Sequence, residues 1–289
     1  MLLKEVFTQG VRFLSSSGNE APAFEAGVML CHVLKCKKTF LYAHDDYILS
    51  DEEYKEYIEI VSKRSKGTPL QYITGHQEFM SLDFKVTPDV LIPRQDTEIL
   101  VESVLEYAKF TKGKKIDVLD IGTGSGCISV CLAHYIKNSR VVALDISQKS
   151  LDVAKYNAEK NGVINKMDFV CGNIFKGLKN IFDSESNLFN IIVSNPPYIA
   201  SGELDFLEKQ VRDFEPLKAL DGGEDGLDYY KFIIEEGRKF LKPQGVLAFE
   251  VGINQGKEVL NMMKKNYSNV RVIKDLSGIE RIVVGVFNC

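Results

Sequence analysis

"VLDIGTGSGCISV", residues 118–130, decides the fold. A short apolar run stops at Gly122, glycines alternate with Thr123 and Ser125, and apolar residues resume at helical spacing after Gly126. This reads as a strand, a tight turn and a helix. Glycines in such a turn let the backbone approach a ligand closely, with the first N–H groups of the helix facing it. The pattern is G-x-G-x-G rather than G-x-G-x-x-G, and Asp120 sits two residues ahead of the first glycine.

Outward from this stretch, strand and helix alternate beyond about residue 115. The strands are "KIDVLDIG" (115–122), "RVVALDIS" (140–147), "MDFVCGNIF" (167–175), "FNIIVSNPP" (189–197) and "GVLAFEVG" (245–252). Stretches 126–137 and 150–162 between them are helical. The alternation predicts an α/β fold with a Rossmann-like, doubly wound sheet. "NVRVIKDLSGIERIVVGVF" (269–287) reads as two strands joined at a Ser-Gly turn, a C-terminal antiparallel hairpin.

Upstream the texture is different. Residues 1–75 carry apolar residues at helical spacing and form a small helical domain. Within it, Ser50 followed by Glu53 is a capping box, Tyr54, Tyr57, Ile58 and Val61 make one apolar face, and Gly67 ends the helix. From Pro69 to Pro93 apolar and polar residues alternate between glycine and proline breaks, predicting a β-hairpin-like connector, bounded here as 76–95. An α/β domain of residues 96–289 follows, opening on the helix "DTEILVESVLEYAKF" with Asp96 or Thr97 as its cap.

Composition narrows the classes. The chain has 289 residues, 45% hydrophobic and 26% charged, with net charge -4, so it has a core to bury and is not disordered. Residues 1–90 hold 10 Lys/Arg against 13 Asp/Glu, which is no basic clamp for nucleic acid. No apolar run reaches the roughly 20 residues of a membrane span, and the N-terminus lacks a secretory pattern, so a cytoplasmic protein is expected. Cysteines at 31, 36, 127, 131, 171 and 289 form no C-x-x-C pair. Cys127, Cys131 and His134 fall at i, i+4 and i+7, yet small residues on a buried helix face explain them better than a metal site; no metal is expected.

Asp145 closes the second strand, about 20 residues beyond the glycines, where an acid can bond both hydroxyls of a ribose. This pair suits either a nicotinamide cofactor or S-adenosylmethionine. Asp120 separates them: a carboxylate repels a pyrophosphate and attracts the ammonium and sulfonium of S-adenosylmethionine. Asn173 can bond an adenine edge at the end of the third strand, with Ile174 or Phe175 over its face; ordinary packing explains those two equally well.

The fourth strand ends in Asn195, Pro196, Pro197 and Tyr198. An –NH2 nitrogen with a delocalised lone pair attacks a methyl group poorly. The Asn195 oxygen and the Pro196 carbonyl supply two fixed acceptors for its hydrogens, the prolines stiffen the turn, and Tyr198 offers a flat face. This tetrad resembles the signature of methyltransferases acting on planar nitrogens. With "PLQYITGHQEF", "VLIPRQDTE", "VLDIGTGSG", "SNPPYI", "DFEPLKALDGGEDGLDYY", "LAFEVGINQG" and "DLSGIERIVVG" in one order, the chain resembles the peptide chain release factor N5-glutamine methyltransferase family (PrmC/HemK) from about Pro69 to the C-terminus. Gln95 departs from it, since many relatives carry proline there.

The resemblance implies a class I methyltransferase sheet. It implies methyl transfer from S-adenosylmethionine to the glutamine of the Gly-Gly-Gln motif in class-1 release factors, the protein partners. Asp120, Gly122, Thr123, Gly124, Ser125, Gly126, Asp145, Asn173, Ile174 and Asn195 become cofactor contacts. Asn195, Pro196, Pro197 and Tyr198 become the substrate site, with Asn195, Pro196 and Tyr198 catalytic. The N-terminal helices would dock the release factor. Arg94 and Glu98 fall near the site or form a salt bridge, and the loop Gly222–Gly226 either borders the pocket or is a flexible connection. Rivals are an adenine-N6 methyltransferase on DNA or RNA, a nicotinamide-dependent dehydrogenase, which leaves 195–198 without a task, and a non-catalytic binding protein. Neither a membrane nor stable nucleic-acid binding is expected.

Overall fold

The computed structural model describes residues 1–110, 113–174 and 188–288. They form two compact units. The first comprises Met1–His76 together with Glu208–Phe214. Its helices are α1 (Leu3–Ser16), α2 (Pro22–Leu34), α3 (Lys38–Ala43), α4 (Asp51–Ser65) and α5 (Leu70–Thr74). The capping box on α4 is formed: Ser50 Oγ accepts from Glu53 N at 3.2 Å, and Glu53 Oε2 accepts from Ser50 N at 2.7 Å. α1 buries Leu3, Val6, Gly10 and Leu14 along one stripe. Gly10 is a notch for the fully buried Tyr57, whose hydroxyl lies 2.0 Å from where a Cβ on Gly10 would be. Leu70–Thr74 is a helical turn ended by Gly75 at φ 78°, so the strand character expected from Pro69 starts later than the alternation suggested.

The second unit comprises Gln77–Leu207 and Glu215–Cys289. Strands β1 (His76–Phe79) and β2 (Leu82–Lys85) form a hairpin whose two-residue turn, Met80 and Ser81, has φ of 51° and 60°. Helix α6 (Glu98–Lys109) follows a 3-10 turn over Gln95–Thr97. Neither Asp96 nor Thr97 caps it with a side chain. Asp96 pairs with Arg281 and the Thr97 hydroxyl is drawn to Glu250, so ionic partners outcompeted the helix amides.

The seven-stranded sheet contains β3 (Ile116–Ile121), β4 (Ser139–Asp145), β5 (Met167–Cys171), β6 (Phe189–Ser194), β7 (Leu241–Glu250), β8 (Tyr267–Lys274) and β9 (Glu280–Phe287). Its order is β5-β4-β3-β6-β7-β9-β8. The first five are parallel, and β9 runs antiparallel to β7 and β8, which makes the C-terminal hairpin. The third strand stops at Cys171, shorter than expected from "MDFVCGNIF", and Phe175 lies outside the described residues. Alternate residues serve opposite faces. Val118, Ala143 and Val193 pack with α6 and with α7 (Cys127–Tyr135), while Leu119, Leu144 and Ile192 pack with the helices Asp228–Gly237 and Gly256–Met263.

Helix α8 (Gln148–Lys160) crosses close to the glycine turn. A Cβ on Gly126 (φ 80°) would lie 2.9 Å from the Cβ of Ala154, whereas one on Gly122 (φ 73°) would meet nothing within 4 Å. Gly126→Ala combines left-handed strain with overpacking and is expected to cost about 2–4 kcal/mol. Gly122→Ala carries the strain alone, about 1–2 kcal/mol. Urea unfolding of the two variants checks the difference; equal losses would mean that α8 does not dictate the third glycine.

Candidate active site

Between β3 and β6 the strand order reverses, and ligands in open α/β sheets bind beyond the carboxyl ends of the strands at that point. The register determines which residues meet there. Ile121 lies opposite both Leu144 and Ser194, and Ser194 lies opposite Phe249. One residue further along each strand, Asp145, Gly122, Asn195 and Glu250 therefore stand abreast, one strand spacing of about 4.8 Å between neighbours.

The glycine turn is tied down at both ends. Gly122 N and Thr123 N donate to Leu144 O at 2.8 and 3.0 Å, and Gly124 N donates to Asp145 Oδ2 at 2.9 Å. The other carboxylate oxygen of Asp145 accepts from Ser147 N at 2.9 Å. Burial raises the Asp145 pKa against these hydrogen bonds. Gly122 and Gly124 border space in which a Cβ would touch nothing. The Thr123 and Ser125 side chains are buried. Asn157, absent from the expected site, holds the far side, donating to Ser125 O at 2.8 Å and to Lys85 O at 3.0 Å while accepting from Lys85 N at 2.7 Å. Its signal was a lone asparagine on the buried face of a helix.

Asp120 is fully buried. Its Oδ2 accepts from the Thr123 hydroxyl at 2.7 Å, and that hydroxyl lies 2.7 Å from Ser129 Oγ. Oδ1 has no partner. Burial, reinforced by the negative Asp145, pushes the acid up to about 7 against the Thr123 and Ser129 hydrogen bonds. A buried acceptor without a donor beside a space left by glycines fits a ligand that carries a cationic donor.

Asn195 Nδ2 donates to Thr97 Oγ1 at 3.3 Å, and Thr97 Oγ1 donates to Glu250 Oε2 at 2.5 Å. Among the described residues no donor occupies Asn195 Oδ1 or the Pro196 carbonyl. Tyr198 is half-buried, its ring edge against Gly252, and its hydroxyl is pushed up to about 12, by burial first and the Glu250 charge second. Gln255 Nε2 donates to Tyr198 O at 2.9 Å and Gln255 Oε1 accepts from Gly252 N at 3.0 Å. The loop Gly222–Gly226 packs on the same turn: Gly222 N donates to Ile199 O at 2.8 Å and Ile199 N to Leu220 O at 3.0 Å. Cβ atoms at Gly222 and Gly226 would lie 2.8 Å from Tyr198 Cα and 2.4 Å from Tyr198 O. It is a wall of this turn.

Arg94 and Glu98 do not pair with each other. Arg94 bonds the buried Glu215, and Glu98 accepts from Met80 N at 2.7 Å. Asn173 is exposed just beyond β5, and Ile174 beside it has a positive φ of 41°. Cys131 is buried while His134 is exposed, so the two do not converge. Thr97, Glu250 and Gln255 were missed. Glu250 had a signal, a charged residue inside the apolar run "LAFEVG".

Comparison with solved structures defines the class. A methyltransferase from Pyrococcus furiosus matches with a TM-score of 0.51 and 20% identity over 73% of this chain and 91% of its own. The catalytic domain of hMettl16, solved with a MAT2A 3'UTR hairpin, matches with a TM-score of 0.52 and 17% identity over 83% of each. The sheet is that of a class I methyltransferase, and residues 112–279 match a methyltransferase domain family. Residues 5–75 match the PrmC N-terminal domain. Proteins named release factor glutamine methyltransferase are 41% identical in Moorella thermoacetica, over 97% of both chains, and 38% identical in Koribacter versatilis, over 99% of this chain and 98% of that one. This chain belongs to the release factor glutamine methyltransferase family. S-Adenosylmethionine is accordingly its methyl donor, and the unpartnered Asp120 oxygen and the open glycine turn fit that molecule.

Two outcomes are expected at this end of the site. With Asp145 proposed as the partner of the ribose, Asp145→Ala should weaken S-adenosylmethionine binding by about 1.5–3 kcal/mol, read by calorimetric titration. Unchanged affinity in a folded variant would remove Asp145 from the cofactor site. With Asp120 proposed as the partner of the ammonium, affinity should rise with pH through about 7, until deprotonation of the ammonium itself at about 8 reverses the gain. Titrations from pH 5.5 to 8.5 check the sign.

Proposed function

We infer that the protein transfers a methyl group from S-adenosylmethionine to the N5 side-chain nitrogen of the glutamine in the Gly-Gly-Gln motif of class-1 peptide chain release factors. The observation that carries this reading is Asn195: an amide whose Nδ2 is engaged by Thr97 and whose oxygen is left open beside the glycine turn. It occurs in a chain whose near-full-length relatives are named for release factor glutamine.

The cofactor supplies an electrophilic methyl carbon on a sulfonium. The protein's task is to hold a poor nucleophile in line with it. Asn195 Oδ1 and the Pro196 carbonyl accept the two hydrogens of the acceptor amide, fix its plane, and stabilise positive charge as the N–C bond forms. The Tyr198 ring gives that plane a flat neighbour. Asp120 and Asp145 hold the donor's ammonium and ribose from the other side of the row. The N-terminal helical unit docks the release factor, whose remote contacts are drawn on at the reacting nitrogen. An enzyme of translation factors works in the cytoplasm, and no helix among the described residues is long and apolar enough to cross a membrane. A net charge of -4 disfavours the adenine rival, which needs cationic surface to gather nucleic acid.

Incubation of purified release factor with the protein and S-adenosylmethionine should add one methyl group to the Gly-Gly-Gln glutamine, read by mass spectrometry. Changing that glutamine to glutamate should eliminate the product, and a short Gly-Gly-Gln peptide should react far more slowly. Asn195→Ala should lower turnover by about 100-fold, while Asn195→Asp, which keeps an acceptor, should lose less. Efficient methylation of duplex DNA with none on release factor would overturn this reading.

A further inference from the structure

We propose that Thr97 and Glu250 are positioning residues that decide which way the Asn195 amide faces. This rests on the assignment of Asn195 as an acceptor for the substrate –NH2. A primary amide is nearly symmetric in shape and opposite in function at its two ends. Rotated by half a turn, Asn195 would present its own –NH2 to the substrate –NH2, donor against donor, and hold nothing. Something must break the tie.

The chain of hydrogen bonds does so. An ionised carboxylate only accepts. Thr97 has one hydrogen to give, and Glu250 Oε2 takes it at 2.5 Å. Only lone pairs of Thr97 remain for Asn195, 3.3 Å away, so Asn195 must turn Nδ2 toward Thr97 and Oδ1 toward the open side. Polarity is thus transmitted in one direction, from Glu250 to Asn195, through Thr97 and through the hydrogen bond that the Asn195 amide also gives to Glu250 itself. The sheet supports this: Ser194 lies opposite Phe249, which sets Glu250 abreast of Asn195. Thr97 and Glu250 are 2% and 3% exposed, so water does not compete.

Stability does not account for Glu250. A carboxylate taken out of water is costly unless it is paired with a cation. Arg281, whose charge reaches Glu250, forms its ion pairs with Asp96 and Asp275 instead. The groups facing Glu250 are Asp96 from the turn before α6, Arg281 from β9, Tyr198 after β6, Tyr230 from the helix Asp228–Gly237, and Cys127 from α7. Burial, aided by Asp96, outweighs Thr97, Arg281 and Asn195 and leaves this acid at about 7. Below that value it gains a hydrogen to donate, the Thr97 hydrogen is released, and the direction of the relay is lost.

The test measures methyl transfer to intact release factor at saturating cofactor, with cofactor affinity followed by calorimetry. Thr97→Val keeps the shape and removes the relay; kcat should fall about 10- to 100-fold with cofactor affinity unchanged. Thr97→Ser should restore most of kcat. In an Asn195→Ala background, Thr97→Val should cost almost nothing further, because there is no amide left to orient. The parent kcat should fall as pH drops through about 7, and Glu250→Gln should be flat over that range. Thr97→Val with normal kcat, alongside an inactive Asn195→Ala, would overturn the relay while leaving the role of Asn195 intact. Equal losses in kcat and cofactor affinity, or full additivity of the two substitutions, would overturn it as well. Normal turnover by Asn195→Ala would overturn the relay together with the assignment on which it rests.

Discussion

The register of the parallel strands is the constraint from which the rest follows. Because Ile121 pairs with both Leu144 and Ser194, and Ser194 with Phe249, four strands end level with one another. The next residue on each is a chemical group rather than a core side chain. Asp145, Gly122, Asn195 and Glu250 come from positions scattered over more than a hundred residues, yet backbone hydrogen bonds alone place them in a row. A slip of one residue on β6 would turn Ser194, which donates to Ile121 O at 2.7 Å, out of its place and send Asn195 to the other face.

Three carboxyl groups, Asp120, Asp145 and Glu250, are buried along this edge, and burial pushes two of them, Asp120 and Glu250, up to about 7. A folded-state pKa above the unfolded value contributes stability that is complete below the unfolded pKa, near 4, and lost as pH rises through 7. In the cofactor-free protein Asp120 and Glu250 therefore both weigh against the fold at neutral pH. A cationic ligand in the proposed cofactor site would relieve Asp120. Glu250 has the Thr97 hydroxyl, the Asn195 amide and the charge of Arg281, which burial and Asp96 outweigh, so its presence calls for a functional account. Activity and stability are set against each other at the same edge.

The sheet was legible because its signals are local: apolar runs of strand length, glycines where a strand must turn into a helix, an acid about twenty residues on. The positions of Asn195 and Asp145 on one edge of the sheet were legible because both stand where such runs end. Thr97 was read as a helix cap, since threonine ahead of an acidic apolar segment usually is one, and local spacing does not reveal that Glu250 lies within reach. Asn157 bonds Lys85 and Ser125, and Gln255 bonds Tyr198 and Gly226, all distant in sequence, so no window contains these partners. Helix α5 was read as part of an alternating stretch because a single helical turn is too short to show a period. Arg94 and Glu98 read as near the site or as a salt bridge, but Arg94 stands just before the 3-10 turn and Glu98 opens the helix after it, and each bonds another group.

The wall around Pro197–Ile199 has a further bearing on how such an enzyme can change over time. Gly222, Gly226 and Gly252 each stand where a single added carbon would fall within 2.8 Å of the turn or of the glutamine that braces it. The turn proposed to receive the acceptor nitrogen is thus a mould with no slack. Small steps in sequence at these three positions do not widen it gradually; they break it. A lineage shifting from one planar nitrogen to another would have to leave the mould alone and alter what delivers the acceptor to it. Catalytic chemistry and substrate choice would then drift in separate parts of the chain, the first nearly frozen and the second free.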